Sequence, residues 1–168
     1  SKYIGADASW NGQFAKVITN AFDWLCGGTP AAWQSVAPLP HDLFGPGTVS
    51  DGTFVYVFGG YSFTSVATLD TVYRYDLSSD SWSTLAPMPT RALVSSAVYY
   101  PPTNKIYVFG GSQRDEAITL DTLQIYDIAS DTWTAGATMP GPRSQMASGF
   151  YPLNGKIYLN GGYATSTI

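Results

Sequence analysis

The chain is 168 residues long with a formal net charge of −4; only 12% of its residues are charged, while 15% are aromatic. Few charges beside many aromatics and 17 glycines exclude a disordered chain and favour a turn-rich, all-β protein. A negative protein repels nucleic-acid phosphates, and no apolar run reaches the roughly 20 residues of a membrane-spanning helix. We therefore expect no nucleic-acid partner and no membrane span.

Residues 1–32 carry a helical pattern that is not repeated later in the chain. From Phe14 to Leu25 the apolar positions are three or four residues apart, which predicts one amphipathic helix. Gly27-Gly28 supply its stop, and a short strand is expected before it. The lone Cys26 in this segment excludes an intrachain disulfide and is read as a small buried hydrophobe.

The rest of the chain repeats at a fixed interval. Glycine pairs that follow apolar strands recur every 51 residues; they are Gly59-Gly60, Gly110-Gly111 and Gly161-Gly162. Tyr-Asp, Trp and Met-Pro motifs follow the first two pairs in the same order and at the same interval. A shorter, partial copy of the repeat runs from Trp33 to Pro40. Strand-only units of about 50 residues predict the blades of a β-propeller.

Each unit is predicted to hold four strands. In the unit from residue 90 they are expected at 95–100, 105–109, 121–127 and 132–136, with a variable loop between the second and the third. The predicted fold is all-β, with two complete four-stranded blades and two partial ones. The predicted ranges are 33–40 for a blade end, 41–89 and 90–140 for full blades, and 141–168 for a partial blade.

The repeated residues have predicted structural roles. The glycines remove Cβ atoms where neighbouring backbones approach closely, and tryptophans such as Trp82 and Trp133 pack between adjacent blades. Aspartates near the turn after the third strand are expected to accept backbone N–H bonds. They are Asp76, Asp80, Asp127 and Asp131.

Double glycine after an apolar strand, then Tyr-Asp, Trp and Met-Pro with a nearby Arg, resembles the Kelch repeat over residues 33–168. The resemblance implies radially arranged four-stranded blades with partners bound at one end of the central channel. It also implies that the loops after the glycine pairs and the loops between blades share that face. Asn160, where other blades have Phe58 and Phe109, departs from the pattern and predicts a looser blade or an interface.

The resemblance has two further implications. Residues 1–32 are similar to the tail of an α/β domain upstream of secreted bacterial Kelch arrays, although a helix that caps the propeller side is an equal alternative. Propellers close with about 4–8 blades. The missing blades are therefore expected from continuation of the chain past residue 168, which we favour, or from other chains.

The predicted binding face combines the two sets of loops that the resemblance places together. Its residues are His41, Phe44, Tyr61, Phe63, Arg91, Gln113, Arg114, Asp115, Glu116, Arg143 and Gln145. Exposed aromatic and arginine side chains are typical interface anchors. Two alternatives stay open: Arg91 and Arg143 bond nearby carbonyls, and the loop at 114–116 is a solvated tip or a calcium or partner contact.

The sequence contains few residues of the types and spacings that catalysis requires. One histidine and one cysteine are too few for a zinc site, or for the copper site of the Kelch-type galactose oxidases, and no phosphate-binding loop occurs. We therefore expect no catalytic residue and no cofactor. The predicted function is a non-catalytic module that binds protein or glycan, and the low lysine content suggests an extracellular or cell-surface location.

Two other functions stay open. One is a structural subunit whose propeller is completed by neighbouring copies, and the other is a non-catalytic part of a larger enzyme such as a galactose-oxidase-like protein.

Overall fold

The computed structural model describes residues 35–164. The predicted strand and helix of residues 1–32 lie outside the described residues, as does Trp33. A compact unit begins at His41 and contains every strand of the described region.

The first full blade begins with Gly47 and ends with Leu85. Its strands are β1 (Gly47–Ser50), β2 (Phe54–Phe58), β3 (Tyr61–Ser62), β4 (Ala67–Thr68), β5 (Val72–Asp76) and β6 (Ser81–Leu85). Strands β1, β2, β5 and β6 form one antiparallel sheet in that order, and β3 pairs with β4 in a separate short hairpin.

The second full blade repeats this plan. Its strands are β7 (Ser96–Tyr100), β8 (Lys105–Phe109), β9 (Ser112–Gln113), β10 (Ile118–Thr119), β11 (Leu123–Asp127) and β12 (Thr132–Ala135). A 3₁₀ turn at Pro101–Thr103 joins β7 to β8, and Asn104 closes it in the left-handed conformation. The four predicted strands are confirmed to within two residues at their ends.

A half-blade follows, made of β13 (Ser144–Tyr151) and β14 (Lys156–Tyr163). The first strands of successive blades are neighbours, because β1 lies beside β7 and β7 lies beside β13. Two full blades and a half-blade packed side by side in this order confirm a β-propeller fragment.

The main core lies between the two full blades. Aromatic rings of β2 pack there against Tyr126 and Trp133 of the second blade, with the Phe58 and Trp133 ring centroids 5.8 Å apart. The indole N–H of Trp133 also donates to the carbonyl of Ala86, at 2.9 Å. The prediction that this tryptophan packs between blades is therefore confirmed.

The first two glycine pairs each lie where one blade meets the next, near the loops. Gly59 has a φ of 57°, and a Cβ added there would overlap the carbonyl oxygen of Ala92 in the next blade. Gly110 has a φ of 53° and the same relation to the carbonyl of Arg143. The N–H of the second glycine donates to that carbonyl, from Gly60 and from Gly111, at 2.9 Å. Only glycine combines this φ with so close an approach.

The turn aspartates divide into two kinds. Asp76 and Asp127 accept backbone N–H bonds within their own turns, as predicted. Asp80 and Asp131 instead accept the hydroxyl of a tyrosine five residues earlier, on the strand that leads into the turn; the donors are Tyr75 and Tyr126 respectively. Asp131 also accepts the N–H of Ala86, at 2.9 Å, and so ties the two full blades together.

The half-blade is more loosely packed than the full blades. The hydrophobic cluster between the second blade and the half-blade contains Val98, Phe109 and Met146, which are 4–9% exposed. The buried residues of the main cluster between the full blades are at most 3% exposed. Asn160 is exposed at the place where Phe58 and Phe109 are buried. No further blade lies beside this strand within the described residues, so a looser blade and an interface both stay predictions for Asn160.

Candidate functional site

Two short hairpins and the loops between blades come together at one end of the sheets, which we call the loop face (residues 41–46, 59–70, 90–95, 110–121 and 140–145). Phe44 of the first inter-blade loop bridges to Tyr61 of β3, and Leu93 of the next loop bridges to Ser112 of β9. The hairpins replace the irregular loops expected from the sequence, because each inter-blade loop adds a third backbone partner to them.

An exposed aromatic surface lies on the first hairpin. The Phe63 ring contacts Tyr61 and Phe44, with ring centroids 5.2 and 6.0 Å apart. Phe44 and Phe63 remain 51% and 59% exposed, whereas Tyr61 is buried beneath them. Single exposed phenylalanines are unremarkable, but a contacting pair on one loop face marks an apolar surface open to a partner.

Arg114 of the second hairpin reaches across to this surface. Its guanidinium carbon lies 5.0 Å from the Tyr61 ring centroid and 5.6 Å from that of Phe63, within the range of cation–π attraction. No ion pair within residues 35–164 includes Arg114. The N–H groups of its guanidinium therefore remain available to an acceptor of a partner. We call Phe44, Tyr61, Phe63 and Arg114 the aromatic–arginine cluster.

Other charged residues of the predicted binding face form ion pairs with one another. Arg91 pairs with Asp115 at 3.2 Å and with Glu116, and the hydroxyl of Thr68 donates to Asp115 at 2.5 Å. The backbone N–H of Arg114 donates to the same hydroxyl at 3.1 Å. Because Thr68 belongs to the first blade, these four side chains join the two hairpins, and we call Thr68, Arg91, Asp115 and Glu116 the hairpin latch.

The latch holds Asp115 in its charged form. The hydrogen bond from Thr68 is the largest favourable influence and, with the positive charge of Arg91, it keeps the pKa of Asp115 below the ordinary aspartate value. Residues 114–116 are all exposed, so a solvated tip stays a prediction, although Asp115 and Glu116 are paired with Arg91. The alternative that Arg91 bonds carbonyls is wrong, because its guanidinium pairs with carboxylates.

The side-chain amides of two glutamines form hydrogen bonds with backbone groups of an inter-blade loop. Gln113 is buried, and its amide donates to the carbonyl of Arg91 at 3.1 Å. The Gln124 amide bonds both the N–H and the carbonyl of Thr90, at 2.7 and 2.9 Å. Gln113 belongs to the predicted binding face by position, but this contact turns its amide inward and commits it to the inter-blade loop.

The remaining predicted residues lie at the margins of the loop face. His41 is near Tyr73, with ring centroids 6.2 Å apart. Arg143 directly precedes β13 of the half-blade and lines a cleft, and the exposed Gln145 lies on β13 itself. Arg143 occupies the position of Ala92, not of Arg91, because its carbonyl accepts from Gly111 as that of Ala92 does from Gly60. The two arginines are thus not repeat equivalents.

Sequence reasoning missed Thr68 and Asp42. Asp42 accepts the hydroxyls of Ser62 and Thr64, each at 3.1 Å, and fastens the first hairpin to its inter-blade loop. Asp42 belongs to no repeated motif, whereas Thr68 begins the Thr-Leu-Asp-Thr sequence that recurs at 119–122. The partners of both residues are 20 or more residues away in sequence, so no local signal marks the contacts.

Residues 35–164 contain no group of three or more His, Cys, Asp or Glu placed to hold a metal ion. In the same part of the chain, no helix is long and apolar enough to cross a membrane.

Comparison with known proteins decides the family. Residues 45–168 match the family model of the KLHDC2/KLHL20/DRC7 Kelch-repeats domain. The chain belongs to the Kelch-repeat family. Kelch-like protein 40 of Xenopus tropicalis is 33% identical over 84% of this chain, and Kelch repeat and BTB domain-containing protein 12 of Danio rerio is 31% identical over 95%. The chain spans 22% and 27% of the lengths of these two Kelch proteins.

Proposed function

We propose that the chain is a non-catalytic Kelch module that binds a protein partner through the aromatic–arginine cluster of its loop face. One observation carries the proposal. Arg114 lies over two aromatic rings on an exposed surface and takes part in none of the ion pairs of residues 35–164. Aromatic and arginine side chains are the commonest energetic anchors of protein interfaces.

The geometry favours a short peptide segment of mixed character. An apolar side chain of the partner covers Phe44 and Phe63, which together present the largest exposed rings of the face. A carbonyl or carboxylate oxygen of the partner accepts from Arg114, whose planar donors are held in place by the rings beneath. The hairpin latch supports this arrangement, because it fixes the loop that carries Arg114 against the first blade.

The test is selection of binding peptides from a displayed random library against the chain. Selected peptides are then measured with the wild type, Arg114→Ala and Phe63→Ser. Each substitution is expected to weaken binding about tenfold or more, as truncation of an interface anchor does. The binding constant is read by isothermal titration calorimetry.

Leu77→Ser is the matched control. Leu77 is a half-exposed apolar side chain like Phe63, but it lies in the turn between β5 and β6, away from the loop face. It is expected to leave peptide binding unchanged. Peptides whose affinity falls with Leu77→Ser but not with Arg114→Ala would contradict the proposed site.

A glycan is the alternative ligand that the sequence left open, and an array of free glycans probed with the same variants tests it. Binding to sugars with no selected peptide would replace the protein partner. An extracellular or cell-surface location stays a prediction from composition.

A further inference from the structure

Left-handed backbone occurs at both ends of the blades, but different residue types adopt it at each end. At the turns opposite the loop face, the residues with positive φ other than glycine are Asp80, Asn104 and Asp131. Aspartate and asparagine tolerate this conformation because their short polar side chains bond nearby backbone groups. On the loop face the corresponding residues are Val66, Val94, Ala117 and Gln145. These types adopt it rarely, and a β-branched valine does so only under strain.

Packing accounts for one of the two valines. A Cβ built on Gly45 would lie 2.7 Å from Cγ1 of Val94, so the Val94 side chain fills the space beside the preceding inter-blade loop. The N–H of Val94 also donates to the Gly45 carbonyl, at 2.5 Å. Val66 is instead 66% exposed, so burial of its side chain offsets little of the strain. Strain that the fold does not explain is a feature of functional positions.

Val66 extends the exposed apolar surface of the first hairpin. Residues 63–66 form the turn between the paired residues Ser62 and Ala67, so Phe63 begins the turn and Val66 ends it. A turn of this length keeps the Cα atoms of its first and last residues within about 7 Å of each other. Both side chains are more than half exposed. A partner that covers Phe63 therefore reaches Val66 as well.

The charges of the loop face indicate the polar part of such a partner. Arg91 pairs with Asp115 and Glu116, whereas Arg114 is in no ion pair within residues 35–164. The rings of Tyr61 and Phe63 cover one side of the Arg114 guanidinium. A guanidinium forms its strongest hydrogen bonds with a carboxylate, and partial exclusion of water strengthens that attraction. A carboxylate of the partner is therefore favoured over a carbonyl.

We infer that Val66 is a specificity-determining contact of the loop face, and that the face binds a polypeptide segment with a carboxylate side chain flanked by apolar residues. The inference rests on the proposed function, because it places Val66 in the same site as the aromatic–arginine cluster. The carboxylate pairs with Arg114, one apolar side chain covers Phe63, and a second covers Val66. Glycine at residue 66 would relieve the strain but would leave the partner no side chain to contact.

The experiment uses short synthetic peptides with one glutamate and two leucines at varied spacing, and matched peptides with glutamine in place of glutamate. Binding to the whole chain is followed by fluorescence anisotropy. The glutamate peptides are expected to bind at least about tenfold more tightly than their glutamine counterparts, because a hydrogen bond to a charged group is the stronger one. Arg114→Ala is expected to abolish this preference.

Two substitutions of Val66 separate contact with the partner from an effect on the fold. Val66→Ala and Val66→Gly are both expected to weaken binding of the tightest glutamate peptide about fivefold, because apolar contact area is lost. Val66→Gly is also expected to raise the unfolding temperature by about 2 °C, because glycine adopts the left-handed backbone without strain. A residue with a structural role alone would not lower the affinity while raising the stability.

Ala117→Gly is the matched control. Ala117 has the equivalent left-handed position in the second hairpin, 51 residues later, and is also exposed. Its substitution is expected to raise the unfolding temperature and to leave the peptide affinity unchanged.

The outcomes distinguish this inference from the proposed function. An affinity that falls with Arg114→Ala but not with Val66→Ala would overturn the inference and leave the proposed function standing. Binding indifferent to Arg114→Ala, or no binding by any of the peptides, would contradict the proposed function itself. A dimer of the chain that Val66→Gly dissociates would also overturn the inference, because a second copy would then cover Val66.

Discussion

Single glycines at the blade seam allow two physical effects to be measured apart. Gly59 and Gly161 have the same repeat position and similar φ values, 57° and 68°. A Cβ overlaps the Ala92 carbonyl at Gly59 but meets no described atom within 4 Å at Gly161. Gly161→Ala is expected to cost about 1–2 kcal/mol from the left-handed backbone alone, and Gly59→Ala about 1–3 kcal/mol more from overlap.

Urea unfolding of both variants beside Gly149→Ala checks this prediction. Gly149 has an ordinary φ and open space around its Cα, so its substitution is expected to change the free energy of unfolding least. Equal losses for Gly59→Ala and Gly161→Ala would show that the Ala92 carbonyl moves aside and that the overlap carries no cost.

The repeat explains how much of each element the sequence predicts. The four strands of a blade and the paired glycines follow from period and residue type, and the structure places them within two residues of expectation. The hairpins at 61–68 and 112–119 do not follow, since each strand in them has two residues and no periodicity. They form because the backbones of Phe44 and Leu93, in the inter-blade loops, pair with the first strand of each hairpin.

The candidate site was predictable to a similar extent. Family geometry brings Tyr61, Phe63 and Arg114 to one face, but residue type does not reveal which charges are already paired. The latch between Thr68 and Asp115 joins residues 47 apart, and only the packing of two blades brings them together. The sequence therefore predicts which residues share the loop face, and the structure shows that Arg91 is in ion pairs there while Arg114 is in none within residues 35–164.

The latch between the two hairpins is expected to weaken in acid. Because the pKa of Asp115 is lowered in the folded state, its contribution to stability is present above the unfolded pKa and is lost as pH falls through the lower folded pKa. Asp115→Asn is therefore expected to destabilise the chain at pH 6 and to destabilise it less at pH 2. Thermal unfolding at both values checks this.

Asp70→Asn is the control for the latch, because Asp70 is an exposed carboxylate on the same loop face and its side chain makes no hydrogen bond within residues 35–164. It is expected to change the unfolding temperature little at either pH. If Asp115→Asn left the unfolding temperature at pH 6 as Asp70→Asn does, the latch would not stabilise the hairpins.

Across the whole molecule, stability is expected to fall from the full blades to the half-blade. Repeat proteins are stabilised chiefly by contacts between neighbouring units, and the main cluster between the full blades is the most completely buried. Amide hydrogens of β2 and β8, each paired on both sides, are expected to exchange at least about tenfold more slowly than those of β14 after correction for intrinsic rates. Hydrogen exchange followed by mass spectrometry measures this order, with peptides from the loop-face hairpins as the fast reference. Equal protection of β8 and β14 would mean that the half-blade opens only together with the full blades, so that the seam at Met146 couples them more strongly than its burial indicates.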